Sequence, residues 1–206
     1  MNEQSTVERM LQAGPSYQDN EARYARLVAA AEAEGILDVG YRTHDTPVGQ
    51  LLLAATALGL VRVAFASEDH DEVLHRLAER VSPRVLRAPD RLSAAARELD
   101  EYFEGRRHSF DVPVDLRLAR GFRQRVLRCL PEIGYGRTAS YAAVAASAGS
   151  PNAVRAVGTA CATNPVPLVI PCHRVVRSDG GLGGYAGGPE IKARLLELER
   201  SARESR

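Results

Sequence analysis

The sequence predicts an α/β N-terminal domain, an antiparallel sheet with helices, followed by an α-helical C-terminal domain built around a helix-turn-helix. Strand-like apolar segments crowd residues 37–65, helical apolar spacing takes over at residue 68, and beyond Leu116 short helices alternate with Gly and Pro. With 206 residues, 45% of them hydrophobic, the chain can bury a core and is too apolar to stay disordered.

Residues 1–37 read as a polar helical arm, in which Glu21–Ala31 supplies good helix formers and Gly35 a C-cap. Residues 38–116 form the α/β domain. Its strands are Val39–Thr43, Leu51–Thr56 and Leu60–Phe65, separated by turns at Thr46-Pro47-Val48-Gly49 and near Gly59, which makes an antiparallel meander. Helices follow over about 68–80, with Leu74, Leu77 and Ala78 on one face, and over about 91–104, with Leu92, Ala95, Ala96, Leu99, Tyr102 and Phe103. Pro113 demotes Phe110–Val114 to an edge segment or linker. Residues 117–206 form the second domain. Phe122, Val126, Cys129 and Leu130 share a helical face that ends before Pro131, Ser140 caps a short helix through Ala146, and a third helix runs from about Pro151 to Thr163.

No stretch is long and apolar enough to cross a membrane, and the first thirty residues lack the pattern of a secretory signal, so a soluble cytoplasmic protein is expected. Cys129, Cys161 and Cys172 are an odd number without CxxC spacing, which argues against a disulfide framework and a structural zinc. No metal or cofactor is expected. The net charge of +1 conceals an asymmetry. Arg117–Ser178 holds nine arginines and one acid, giving +8, while the remainder carries −7. A polyanion-binding half explains this, and so does a salt-bridged junction between the halves.

At 100° per residue, Ala153, Val154, Val157, Ala160 and Cys161 form a core-facing stripe on the third helix. Opposite lie Arg155, Gly158, Thr159 and Ala162, a face with one long side chain where a solvated helix carries several. Something large approaches here, either a DNA groove or another protein element. Ser150 and Asn152 at the helix start are placed to meet phosphates. Cys129 and Cys161 read as inert core thiols. Cys172 differs: Pro165, Pro167 and Pro171 stiffen its segment, and His173, Arg174 and Arg177 supply partners and positive potential that favour thiolate.

Pro171-Cys172-His173-Arg174-Val175 resembles the active-site signature of the O6-alkylguanine-DNA alkyltransferases, the methylated-DNA-protein-cysteine methyltransferases. Further segments in matching order are Gly136–Tyr141, Arg155–Gly158, Asn164–Pro167, Gly183–Gly188, Lys192 and Leu195–Glu199. The resemblance implies a ribonuclease H-like N-terminal domain and a winged-helix-like helix-turn-helix domain. It implies a direct-reversal DNA repair transferase acting on double-stranded DNA with alkylated bases, by minor-groove binding and nucleotide flipping. O4-alkylthymine stays open as a second substrate, and cooperative loading of a monomeric protein along DNA stays open too.

The same resemblance assigns roles. Arg155 would replace the flipped base, with Asn152, Gly158 and Thr159 at the DNA. Asn164 would couple that helix to the cysteine loop, and Asn164 and Pro167 of the hinge would join Val175, Tyr185 and Ala186 in binding the substrate. Glu199 would orient His173 through a water, and His173 would take the thiol proton from Cys172. Tyr141 would donate to guanine N3, the backbone at Tyr185-Ala186 to O6, and carbonyls at Cys172 and Val175 would accept from the exocyclic amine. The thioether product cannot be hydrolysed as a thioester can, which implies a single turnover. The chain departs from the family at Ala119–Gln124, at Leu127 in place of a tryptophan, and at Ala186 where some members carry serine. A lesion sensor, a methylation-responsive regulator and a Cys-His hydrolase remain as alternatives. Cys172 weighs against the first, the small-residue helix face against the second, and His44, His70, His75 and His108, which lack motifs, against the third.

Overall fold

A computed structural model describes residues 17–204 of the chain; the start of the arm, residues 1–16, lies outside the described residues. Helix α1 (Tyr17–Ala33) covers the helical part of the arm. It is fastened to the body by Glu21, whose carboxylate takes Arg87 at 2.8 Å, and by Tyr24 Oη, which accepts the Arg87 amide at 2.7 Å.

The sheet consists of β1 (Val39–Thr46), β2 (Gly49–Thr56), β3 (Gly59–Ala64) and β4 (Val85–Arg87), in the order β3-β2-β1-β4. The first three strands form the expected meander, though the first turn is only Pro47-Val48, with Thr46 paired to Gly49. The fourth strand, parallel to β1, is an addition to the sequence reading. Three residues between Pro83 and Pro89 are too few to show a period. Strand β2 sits second in the sheet and is buried on both faces, which is why Leu51–Ala55 is an unbroken apolar run. Leu52 and Ala54 pack beneath α2 (His70–Arg80), together with Val73 and Leu77. Leu51, Leu53 and Ala55 face the opposite way, toward α3 (Ser93–Phe103) and the C-terminal residues.

The C-terminal region comprises α4 (Phe122–Cys129), the two-residue strand β5 (Ala139–Ser140), α5 (Tyr141–Ser147), α6 (Val154–Ala162), the two-residue strand β6 (Val175–Val176) and α7 (Gly188–Glu204). Ser140 caps α5 as predicted, its hydroxyl accepting from Ala143 N at 3.1 Å. Helix α6 starts later than the sequence suggests, so Asn152 occupies the preceding turn and Ala153 is an N-cap without a side-chain bond. The core stripe also needs correction. Val157, Ala160 and Cys161 are buried, but Val154 in the first turn is 38% exposed, because it sits beyond the packing of α5 and α4 on this helix. Cys129 is only half-buried, at the edge of the core.

One hydrophobic core runs through both regions, joining Leu53, Phe65, Leu99 and Tyr102 to Leu127, Val157, Cys172 and Leu195. Polar contacts fasten the same junction. Val63 N donates to Pro165 O at 2.8 Å, and Arg62 reaches the same carbonyl at 3.3 Å. No helix is long and apolar enough to cross a membrane among the described residues.

Candidate active site

Cys172 opens a single 3-10 turn, Cys172–Arg174, at the end of a loop whose shape is fixed by backbone restriction. Prolines 165, 167 and 171 fix φ, and Leu168 holds a left-handed φ of 73°, a costly state for a residue with a Cβ. The thiol is 1% exposed. Its sulfur accepts a hydrogen bond from Asn164 Nδ2 at 3.2 Å; the same amide donates to Ile170 O at 2.9 Å, and Oδ1 takes Val166 N at 3.0 Å. Asn164 lies two residues past α6, so one buried amide ties the end of that helix to both sides of the cysteine loop.

His173 and Glu199 are both fully buried. His173 Nε2 meets Glu199 Oε1 directly at 2.8 Å, where the sequence reading had placed a water. Direct contact is possible because α7 packs against the cysteine turn. The carboxylate accepts further bonds from Tyr102 Oη at 2.8 Å, Gly136 N at 2.9 Å and Arg174 Nε and Nη2 at 2.9 Å. Burial alone would raise the Glu199 carboxyl, but the bonds from His173 and Arg174 outweigh it and hold it at about 2. Burial keeps His173 below its ordinary value despite that partner. The imidazole is therefore neutral at pH 7, with Nε2–H donated to Glu199 and Nδ1 buried without a partner.

Two further expectations are corrected. The hydrogen bond to Cys172 Sγ comes from Asn164, not His173, so thiol and imidazole are not directly joined. Nor do the neighbouring cations favour thiolate in the free protein: burial pushes the Cys172 thiol up to about 11, against the opposing pulls of Asn164 and Lys192. Arg174 is spent on Glu199 and on Ile133 O at 2.6 Å, and Arg177 is exposed. The buried cation beside the thiol is Lys192, whose Nζ donates to Val175 O at 2.6 Å.

The other predicted residues converge from separate elements. Parallel pairing of β5 with β6, Ala139 to Val175 and Ser140 to Val176, brings Tyr141 at the start of α5 beside the cysteine turn. Gly183 passes so close to that ring that a Cβ there would lie 2.5 Å from Tyr141 Oη, and its φ of 68° also selects glycine. Tyr185 stands edge-on to His173, with ring centroids 6.2 Å apart, and to Phe65 of the sheet at 5.5 Å. Its hydroxyl is buried, with no partner among the described residues. Ala186 is half-buried, while Pro167 and Val175 are buried in the loop. Outside, Arg155 and Thr159 are exposed, and a Cβ on Gly158 would touch nothing within 4 Å. Asn152 is exposed in the turn before α6. Sequence reasoning missed Tyr102 and Arg174 as partners of Glu199; a tyrosine on an otherwise apolar helix face was the available signal.

A four-stranded sheet with helices and a helical region share one core, and at their junction a buried cysteine, an imidazole and an ionised carboxylate lie together, the arrangement of a cysteine-dependent transferase. Two family models match: "6-O-methylguanine DNA methyltransferase, ribonuclease-like domain" over residues 39–116, and "6-O-methylguanine DNA methyltransferase, DNA binding domain" over residues 121–201. The chain belongs to the 6-O-methylguanine DNA methyltransferase family. It is 40% identical over 164 residues to the constitutive methylated-DNA–protein-cysteine methyltransferase of Bacillus subtilis, covering 78% of this chain and 94% of that one. It is also 40% identical to the enzyme of that name from Mycobacterium tuberculosis, over 79% of this chain and 93% of that one. Among solved structures, the M. tuberculosis protein in complex with DNA superposes with a TM-score of 0.69 at 38% identity, covering 79% and 94% of the two chains. The O6-methylguanine-DNA methyltransferase of Pyrococcus kodakaraensis gives 0.58 at 25% identity, covering 78% and 98%.

Proposed function

We propose that this protein repairs DNA by moving the alkyl group from guanine O6 to Sγ of Cys172, once per molecule. The observation that carries the proposal is the buried line Asn164, Cys172, His173, Glu199 directly behind the open face of α6. Arg155 is the long side chain on that face, suited to fill the gap left by a flipped nucleotide, and Gly158 leaves room for a groove wall.

Chemistry follows from the pairs in place. The orphan Nδ1 of His173 takes the thiol proton through a bridging water, with Glu199 stabilising the imidazolium that forms. Sulfur attacks the alkyl carbon in line with O6, the C–S bond forms, and the C–O6 pair leaves into the base. Tyr141 donates to N3 and the Tyr185-Ala186 backbone to O6, while the Cys172 and Val175 carbonyls accept from the exocyclic amine. The guanine regains a proton. A thioether offers water no polarised carbonyl, so the protein is consumed. Residues 38–116 and 117–206 act as the ribonuclease H-like and DNA-binding, alkyl-accepting domains, with residues 1–37 an arm. The protein binds as a monomer.

Incubation with a duplex containing O6-methylguanine should add one methyl mass, mapped to Cys172, and Cys172→Ser should add none while still binding the duplex. Several turnovers per chain, or methyl on Cys129 or Cys161, would refute this reading. Retained binding without transfer by the wild type would favour a lesion sensor.

A further inference from the structure

Not all of the arginine-rich segment lies at the helix face of α6. Four of its nine arginines, Arg117, Arg120, Arg128 and Arg174, line a cavity of about 1150 Å³ at the junction of the two regions, and Arg80 of α2 joins them. Neither Cys172, Tyr141 nor Tyr185 is among its lining residues; the floor is Leu168–Pro171, the back of the loop that carries the nucleophile. This is a second recess, separated from the alkyl-acceptor site by the thickness of one peptide segment.

Its chemistry is two-sided. Leu58, Phe110, Val112 and Val114 from the sheet domain face Leu127 across an apolar interior. At the rim, the guanidiniums of Arg80, Arg120 and Arg128 make no hydrogen bond or ion pair among the described residues, whereas that of Arg117 is held by Asp115 at 2.6 Å. Three guanidiniums are thus left for an outside anion, and their planar forks suit phosphate.

His108 and Tyr135 stack on the wall at 4.1 Å, with Nε2 of one and Oη of the other buried and unpaired. A buried polar group left without a partner is destabilising until one arrives. A small tilt of the rings would offer both to a bound molecule. The cavity is of the size of small-ligand sites, which run to roughly 1,000 Å³.

We propose that this junction cavity binds an organic phosphate with an aromatic body, of the nucleoside monophosphate class. The body fills the apolar interior against His108 and Tyr135, and the phosphate takes Arg120 and Arg128. The site is independent of the alkyl-transfer reading, and its test does not measure repair. Calorimetric titration of the full chain with adenosine monophosphate should give one saturable site per chain, at least tenfold tighter than inorganic phosphate or adenosine alone. The double variant Arg120→Ala/Arg128→Ala, which removes two unpartnered side chains, should weaken that binding at least tenfold. Tyr135→Phe should weaken binding yet raise the melting temperature of the free protein, since it deletes an unpaired hydroxyl. Arg155→Ala, on the helix face, should bind as the wild type does. Inorganic phosphate binding as tightly as the nucleotide would reduce the site to a counter-ion patch. Absence of saturable binding, full binding by the double variant, or loss in Arg155→Ala would overturn the proposal.

Discussion

At the scale of single residues, Cys172 is a guarded thiol. A group 1% exposed with its pKa pushed up to about 11 by burial is protonated and nearly unreactive at pH 7. Iodoacetamide labelling of the free protein, followed by peptide mapping, should therefore be slow at Cys172 at neutral pH and rise about tenfold per pH unit toward 11, following the thiolate fraction. A rate already level at pH 7 would contradict it. The prolines around Cys172 exclude a helix and mark its loop as stiff, whereas the roles of His173 and Asn164 came from the family resemblance and from no local pattern. The sequence could not reveal which way Arg174 turns. A long side chain beside a cysteine reads as its counter-charge until the fold places Glu199 behind it.

Element by element, the helices carried most of the legible signal, because a 3.6-residue period needs three turns to be seen and α2, α3 and α4 with its continuation supply them. Strand β4 is three residues long and shows no period. The first turn of α6 misled for a related reason: Val154 has the spacing of the buried stripe but lies beyond the helices that cover it. That same helix gives a sharp test. Since a Cβ on Gly158 would meet nothing within 4 Å among the described residues, Gly158→Gln should fold with a melting temperature within a few degrees of the wild type, yet weaken duplex binding at least tenfold, about 1.4 kcal/mol, by filling the approach. Fluorescence anisotropy with a labelled duplex measures it, and unchanged affinity would remove α6 from the interface.

For the molecule as a whole, Glu199 links pH to stability. Its carboxyl lies at about 2 in the folded state against 4.5 when free, so its ionised form favours folding at every pH above 4.5, and that contribution drains away as pH falls toward 2. The shift corresponds to roughly 3 kcal/mol. Urea unfolding of the wild type should show this loss between pH 5 and 2, and Glu199→Gln should be less stable at pH 7 with a flatter acid profile; parallel profiles would exclude the effect. The sequence reading divided the chain near residue 116 but did not show that one core runs through both parts, because no local pattern reports which distant surfaces meet. The hydroxyl of Tyr102 makes the consequence concrete. It reaches from the sheet domain to the very oxygen that holds His173, so the two regions share one hydrogen-bonded carboxylate. A change at Tyr102 therefore reaches the carboxylate of Glu199 across the junction of the two regions.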